Sequence, residues 1–202
     1  MGKKKVRLSE ENLTPDDIAV QQKILQESIR AYYRKPPYWL FEEYCNSSKS
    51  VFERDLENRC IEVEKDGILT LLAAIEALFK VDFFERVYNR KRGQLSRTFR
   101  ELYKQQTNNR ISLNAIFKEW INAGDGSCSK LINALQGAFK YRHWLAHGRY
   151  WVPKYGQKCQ PPRPEGRGLK PSFARQGSVD QGNIFNYWQS YLKENISSCI
   201  ER

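Results

Sequence analysis

The chain has 202 residues, a length that suits one domain with a single core. Its 34 Lys and Arg outnumber its 23 Asp and Glu, and the resulting charge of +11 excludes an acidic solvating chain and indicates a polyanionic partner. Hydrophobic residues make up 40% of the chain and aromatic residues 13%, which is enough to form a core and argues against disorder.

The apolar pattern argues against secretory and membrane proteins. The basic start of the chain is followed by Ser9, Glu10 and Glu11 rather than by the apolar core of a signal peptide. The longest strongly apolar run, residues 68–75, ends at Glu76 and is far shorter than the roughly 18 to 20 residues that a bilayer requires. We therefore expect a protein with no membrane partner.

The five cysteines are odd in number and widely spaced, and they include no CxxC pair. This pattern favours neither a disulfide framework nor a thiolate zinc site. We expect the cysteines to be ordinary packing residues in a reducing cytoplasm.

The first helix is predicted after a basic, loosely held arm at residues 1–13. Residues 14–17 read TPDD, and they begin a helix because proline suits the first turn and carboxylates suit the positive helix end. Pro36 and Pro37 end it, since proline lacks an amide N–H and disfavours helical geometry in the residue before it. A short aromatic segment follows at residues 38–44.

A central helix is predicted next. Residues 51–90 have helical periodicity, and residues 68–87 are apolar nearly all round, as in a fully packed helix. Gly67 is expected to break or kink this helix. Three shorter helices then follow, at residues 96–105, 112–122 and 128–147.

The C-terminal part contains a long segment rich in proline and glycine. Residues 151–177 hold five prolines and four glycines, so we expect a loop there. Ser178 or Asp180 then caps a last helix. The fold class is therefore predicted to be all-α, with a single helical domain at residues 14–202 that contains this loop.

Charge is unevenly distributed along the chain. Residues 1–85 carry 13 basic and 16 acidic side chains, whereas residues 86–202 carry 21 and 7. The basic part includes both histidines of the chain, and Arg86, Arg97 and Arg100 lie ahead of them. This asymmetry favours contact with nucleic acid, and a set of solvated faces is the alternative.

The densest chemistry lies at residues 141–151, which read YRHWLAHGRYW. The apolar stripe of the predicted helix leads into Arg142 and His143, so we expect this end to face packed surface or a cleft. His143 and His147 share one helix face, and Arg142 reaches round on its long stem. Arginine offers a planar fork for phosphate, and histidine exchanges a proton near neutral pH.

Two alternatives apply to the histidines. A helix C-terminus favours His for its dipole alone, so His147 could be purely structural. The i,i+4 spacing also suits a metal, but Trp144 stands where an HExxH motif has glutamate, and we expect no metal and no cofactor. Trp144, Tyr150 and Trp151 are more typical of a core than of a surface that stacks on bases.

The pattern of Arg142, His143 and His147 resembles the Arg-x4-6-His motif of the HEPN superfamily, in which a polar residue follows the arginine, with His143 where that family most often has Asn. The resemblance implies a metal-independent ribonuclease, active as a homodimer that joins two copies of the motif. Such domains occur in toxin–antitoxin pairs, CRISPR effectors and anti-phage systems. Some toxins carry a tyrosine two residues after the motif histidine, where this chain has Arg149, followed by Tyr150.

The resemblance also implies roles for individual residues. His147 is expected to act as general base or acid, Arg142 to neutralise the scissile phosphate, and His143 to orient or position. The implied partners are RNA, a second copy of the chain and an antitoxin or defence protein. The expected RNA-binding residues are Arg97, Arg100, Arg149 and Tyr150.

Glu76 is the other residue of interest. It lies within the apolar helix, where an unpaired carboxylate would be costly, so it is expected to pair with a cation. If the cation is Arg142, Glu76 orients a catalytic residue; if it is another arginine, the bridge is purely structural. For the whole protein, the alternative to a ribonuclease is a catalytically inactive module of the same fold that binds nucleic acid or a partner protein. A metal hydrolase is a third possibility.

Overall fold

Every element that the structure describes is an α-helix, which confirms the all-α class. The predicted loop at residues 151–177 and the last predicted helix lie outside the described residues, as does most of the arm at residues 1–13. The computed structural model describes residues 7–8, 11–45, 48–105, 111–123 and 126–148.

Helix α1 spans Pro15–Arg34 and begins with a capping box. The backbone N–H of Asp17 donates to Thr14 Oγ1 at 3.2 Å, and the backbone N–H of Thr14 donates to Asp17 Oδ2 at 3.1 Å. These hydrogen bonds with Thr14 hold the pKa of Asp17 below its usual range. The helix ends before Pro36, as predicted, and the aromatic segment that follows is helix α2, Tyr38–Tyr44.

Helix α3 spans Lys49–Tyr88 and forms the centre of the fold. Helix α1 packs along its first half, and the three later helices pack against its second half. In that second half, Ile75, Phe79 and Phe83 are completely buried. The predicted central helix is therefore confirmed, but the expected packing on all sides is wrong, because Ala73 is exposed and the Lys80 side chain is 43% exposed.

The predicted break at Gly67 is wrong, because α3 runs through it without interruption. A Cβ atom at this position would lie 2.8 Å from Cγ of Gln22 and closer still to the Gln22 carboxamide. Gln22 belongs to α1 and is itself buried. Glycine therefore leaves room for the Gln22 side chain where α1 approaches α3 closely, and α3 continues through it as a helix.

A Gly67→Ala substitution is expected to destabilise the protein by about 1 to 2 kcal/mol, because the overpacking against Gln22 outweighs the better helix propensity of alanine. In a Gln22→Ala background the same substitution is expected to be neutral or stabilising, since the space is then open. Urea denaturation of the four proteins measures both effects. Equal destabilisation in the two backgrounds would contradict the steric explanation.

The later helices enclose the core with α3. The ring of Phe79 meets Phe117 edge-on at 5.0 Å between centroids, and the ring of Phe83 meets Phe99 at 4.8 Å. The predicted bounds of these helices are correct to within two residues. They are α4 at Gln94–Gln105, α5 at Leu113–Ala123 and α6 at Gly126–Ala146.

An ion pair is buried beside this core. Arg86 Nε donates to both carboxylate oxygens of Asp82 at 2.8 Å, and the guanidinium carbon lies 5.4 Å from the ring centroid of Trp120. Burial raises the pKa of Asp82, although Arg86 acts in the opposite direction. Arg86 is 6% exposed, so it does not add to the exposed positive charge of the basic second part of the chain.

The cysteines differ in state. Cys45 and Cys60 are free thiols, whereas Cys128, buried on α6, is disulfide-bonded. The expectation that the cysteines are unpaired packing residues is therefore wrong for Cys128.

Large aromatic side chains lie on the outer side of α1 and α2. Tyr38 is 75% exposed, Trp39 61% and Phe41 59%. Tyr32 of α1 is also exposed, and its ring centroid lies 6.5 Å from that of Trp39, so the surface is continuous across both helices. We call these four residues the outer aromatic surface. Among the described helices, none combines the length and the apolar character needed to cross a membrane.

Candidate functional site

The C-terminal end of α6 carries the motif residues. The helix ends at Ala146, and Gly148 then adopts a φ of +83°, the left-handed conformation that suits glycine just after a helix. On the side of α6 that faces the core, Ala138 and Leu145 are buried, and Arg142 lies between them, half-buried. The sequence therefore places a guanidinium at the edge of the core.

His143 is exposed, so the expectation that the stripe faces packed surface or a cleft at this end is wrong for His143, and His147 is exposed as well. The reason is the helical period. Steps of three and four from Leu135 lead through Ala138 and Arg142 to Leu145, which is buried. His143 follows Arg142 by about 100° of rotation, which turns it away from the core.

Glu76 connects the motif to α3. Its Oε2 accepts a hydrogen bond from Arg142 Nη1 at 2.6 Å, and its Oε1 accepts one from Lys80 Nζ at 2.6 Å. The Glu76 side chain is 23% exposed and that of Arg142 is 34% exposed. Of the two alternatives for the partner of Glu76, the contact is with Arg142, and Lys80 shares the carboxylate.

The charge of Glu76 follows from these contacts. Burial raises the pKa of the Glu76 carboxyl, but hydrogen bonds from Lys80 and Arg142 outweigh burial, so that its pKa lies below the ordinary value of 4.5. The carboxylate is therefore ionised near neutral pH and holds the guanidinium of Arg142 by charge. The same guanidinium lies 5.8 Å from the ring centroid of Phe139, a second contact that fixes its direction.

The pH dependence of stability tests this pairing. A carboxyl whose pKa is lowered by folding stabilises the fold above its unfolded pKa, and that stabilisation is lost as the pH falls through the folded-state value. We expect Glu76→Gln to lower the unfolding free energy by about 1 kcal/mol at pH 7 and to have little effect at about pH 3. Urea denaturation of both proteins at the two pH values provides the measurement. A difference of the same size at both would contradict the charge pairing.

His143 and His147 form a pair of adjacent rings. Their centroids are 4.1 Å apart and the ring planes are inclined by 54°. The backbone N–H of His147 donates to the carbonyl of His143 at 3.1 Å, so the pair keeps helical geometry up to the end of α6. The same helix end therefore carries two exposed imidazoles and the half-buried guanidinium of Arg142, which is directed towards Glu76 of α3.

Of the other predicted site residues, the structure describes Arg97 and Arg100, and these lie apart from the motif. Arg97 is exposed on α4, and Arg100 Nη1 donates to the carbonyl of Lys91 at 3.0 Å. The turn that carries Lys91 follows the end of α3 at Tyr88, roughly 18 Å along the helix axis from Glu76. These two arginines thus lie near the C-terminal end of α3, away from Glu76 and the motif. Arg149 and Tyr150 lie outside the described residues.

Trp144 belongs to the packed part of α6. It is half-buried against the core, and its ring stacks on Tyr141 with 5.4 Å between centroids. This placement agrees with the expectation of a core residue rather than a base-stacking surface. Trp151, like Tyr150, lies outside the described residues.

Lys80 is the site residue that sequence reasoning missed. It follows Glu76 by four residues on α3, the spacing of an ion pair within a helix, and this spacing was the available signal. Its side chain is 43% exposed, so the ammonium is accessible to a ligand while it contacts Glu76. Lys80 and Arg142 together place two cations around one carboxylate.

Comparisons with protein-family models, curated proteins and solved structures give no match to this chain. We therefore infer its function from the chemistry of the site. In the part of the chain that the structure describes, no group of three or more His, Cys, Asp or Glu is placed to hold a metal ion. The groups that are present, two imidazoles, a guanidinium and an ammonium, suit proton transfer and the binding of phosphate charge.

Proposed function

We propose that the protein is a metal-independent endoribonuclease of the HEPN type. The observation that supports this most directly is the guanidinium of Arg142, held by the ionised carboxylate of Glu76 at the same helix end as two exposed imidazoles. RNA brings its own nucleophile, the 2′-hydroxyl. An enzyme that cleaves RNA therefore needs only proton-transfer groups and cations placed at the phosphate.

In the proposed reaction, the 2′-oxygen forms a bond to the adjacent phosphorus while the bond to the 5′-oxygen breaks. His147 removes the proton of the 2′-hydroxyl or gives a proton to the leaving 5′-oxygen, and His143 orients the substrate. Arg142 neutralises the charge of the pentacoordinate phosphorane, and Lys80 adds a second positive charge nearby. The products are a 2′,3′-cyclic phosphate and a 5′-hydroxyl.

A homodimer would complete this site. Two copies of the motif brought together by a two-fold axis supply a second His147, so that one imidazole acts as base while the other acts as acid. The basic second part of the chain then binds the RNA strand by its phosphates. The residues proposed for that contact are Arg97, Arg100, Arg149 and Tyr150.

The biological setting is proposed from the motif alone. Its resemblance to HEPN ribonucleases favours a prokaryotic toxin or an anti-phage defence component that acts in the cytoplasm. An antitoxin or another defence protein would then be its partner. The uneven charge of the chain supports an RNA substrate but does not select one.

Incubation with RNA in the presence of a chelator tests the proposed activity. The wild-type chain is expected to cleave, and His147→Ala is expected to lower the rate by about 10² to 10⁴, the usual contribution of a general acid or base. Asn133→Ala, an exposed position on the same helix, serves as the matched control. Cleavage that needs a divalent cation, or that persists unchanged in His147→Ala, would contradict the proposal.

A catalytically inactive module is the second candidate, and the outer aromatic surface favours it. Exposed apolar patches commonly mark protein interaction sites, and Tyr38, Trp39 and Phe41 are all more than half exposed. This candidate requires salt-sensitive RNA binding, or binding of a partner protein, without cleavage. Detection of 2′,3′-cyclic phosphate ends that are lost in His147→Ala would eliminate it.

A further inference from the structure

We propose that His143 and His147 together chelate a late first-row divalent cation such as Zn²⁺ or Ni²⁺, and that the bound ion inhibits RNA cleavage. The chelate itself follows from the arrangement of the two rings. Its inhibitory effect rests on the proposed function, because only that function makes these imidazoles carriers of a proton.

The geometry is suitable for a shared ion. Imidazole nitrogens bind zinc at about 2.0 to 2.1 Å, so two nitrogens on one tetrahedral ion are about 3.3 Å apart. The ring centroids of His143 and His147 are 4.1 Å apart, and both residues are on one face of α6. This i,i+4 spacing on one helix face is the one through which the two histidines of an HExxH motif bind zinc.

Exposure makes the pair accessible to an ion. Both histidines lie at the surface of α6, so an aqueous cation reaches them without opening the core. Two protein ligands leave the remaining coordination positions to water. The expected site is therefore an open chelate and differs from a closed structural zinc site, which has four protein ligands.

The donor atoms determine which ions bind. Neutral imidazole suits Zn²⁺, Ni²⁺ and Cu²⁺, whereas Mg²⁺ and Ca²⁺ require oxygen ligands. Glu76, the carboxylate nearest to the motif in the described contacts, is engaged by Lys80 and Arg142. The site is therefore expected to select transition metals and to discriminate against Mg²⁺.

A bound metal ion is expected to inhibit cleavage because it occupies the imidazole lone pair that a general base needs. A general base accepts a proton on the lone pair of an imidazole nitrogen, and a coordinated nitrogen has donated that pair to the metal. When an ion joins the two rings, neither His147 nor His143 can turn towards a substrate phosphate. Binding is a simple displacement of water or a proton from the imidazoles, and no electron is transferred.

Calorimetric titration with NiCl₂ tests the chelate on the full chain, purified without a histidine tag and with Cys45 and Cys60 alkylated. We expect one ion per chain, and we expect His143→Gln and His147→Gln each to weaken binding at least about tenfold, because the second ligand acts at a high effective concentration. Asn133→Ala, an exposed position on α6, is expected to bind like the wild type. Titration with MgCl₂ is expected to give no binding.

The outcomes separate the two proposals. If the wild type binds Ni²⁺ no better than His147→Gln, the chelate is wrong, whatever the RNA assay shows. If the wild type cleaves RNA at the same rate with the site saturated by Ni²⁺ as with chelator, the inhibitory role is wrong. If RNA is not cleaved under any condition but Ni²⁺ binds through both histidines, the proposed function fails and the metal site stands. Circular dichroism confirms that each variant is folded.

Discussion

An Arg86→Met variant is expected to lose about 3 to 5 kcal/mol of unfolding free energy, because the substitution leaves Asp82 buried without its ionic partner. Asp82 is 4% exposed, and both of its carboxylate oxygens accept from Arg86 Nε at 2.8 Å. The ring of Trp120 loses its contact with the guanidinium in the same step. Since small domains are stable by only about 5 to 15 kcal/mol, urea denaturation should show a large shift of the midpoint.

The matched control is the double variant Asp82→Leu/Arg86→Met. A buried ion pair that is replaced by apolar residues of similar size is often close to neutral, so most of the lost stability should return. The pH dependence gives a second check. Burial raises the pKa of Asp82 above its ordinary 3.8, so ionising this group costs stability as the pH rises through the folded-state value. The deficit of Arg86→Met should therefore be smaller in acid than at pH 7. A double variant as unstable as the single one would contradict this account.

The fold was predictable where the signal is local. Thr14, Pro15 and Asp17 define the start of α1 through their own backbone chemistry, and Pro36 defines its end. The central position of α3 was predictable because a helix that is apolar nearly all round has to be covered over most of its surface. In contrast, the role of Gly67 depends on α1, whose approach brings Gln22 onto that glycine. The local sequence pattern is the same for a glycine that kinks a helix and for a glycine that allows a neighbouring helix to approach closely.

The candidate site was predictable only in part, for the same reason. The spacing of Arg142, His143 and His147 was readable from the chain, which also offered Arg142 as one candidate partner of Glu76. The choice between Arg142 and another arginine was not predictable, because Arg142 lies 66 residues away. The exposure of the histidines was misjudged because steps of three and four can be continued along the helix in more than one way. The buried residues of α6 continue to Leu145. The packing of α6 on the core determines which of these continuations is buried.

Arg142→Ala is expected to lower kcat/KM for RNA cleavage by about 10² to 10³, the usual cost of removing one group that stabilises transition-state charge. Glu76→Gln should have a smaller effect, about tenfold, because the neutral amide still accepts a hydrogen bond but no longer holds the guanidinium by charge. Single-turnover rates with a short RNA provide the measurement. We expect the loss to fall mainly on kcat, since the charge of the phosphate grows as the phosphorane forms.

The double variant Arg142→Ala/Glu76→Gln decides whether Glu76 is a positioning residue or a purely structural one. If Glu76 acts through Arg142, the double variant should cleave no more slowly than Arg142→Ala alone, because Glu76 then has nothing left to orient. If Glu76 is structural, its substitution should lower stability and leave the kcat of the folded protein unchanged. Glu57→Gln, which neutralises an exposed carboxylate on the same helix, is the matched control and is expected to leave kcat unchanged. A Glu57→Gln variant that reproduces the kcat loss of Glu76→Gln would show that the loss comes from the lower negative charge of the protein, rather than from the direction of Arg142.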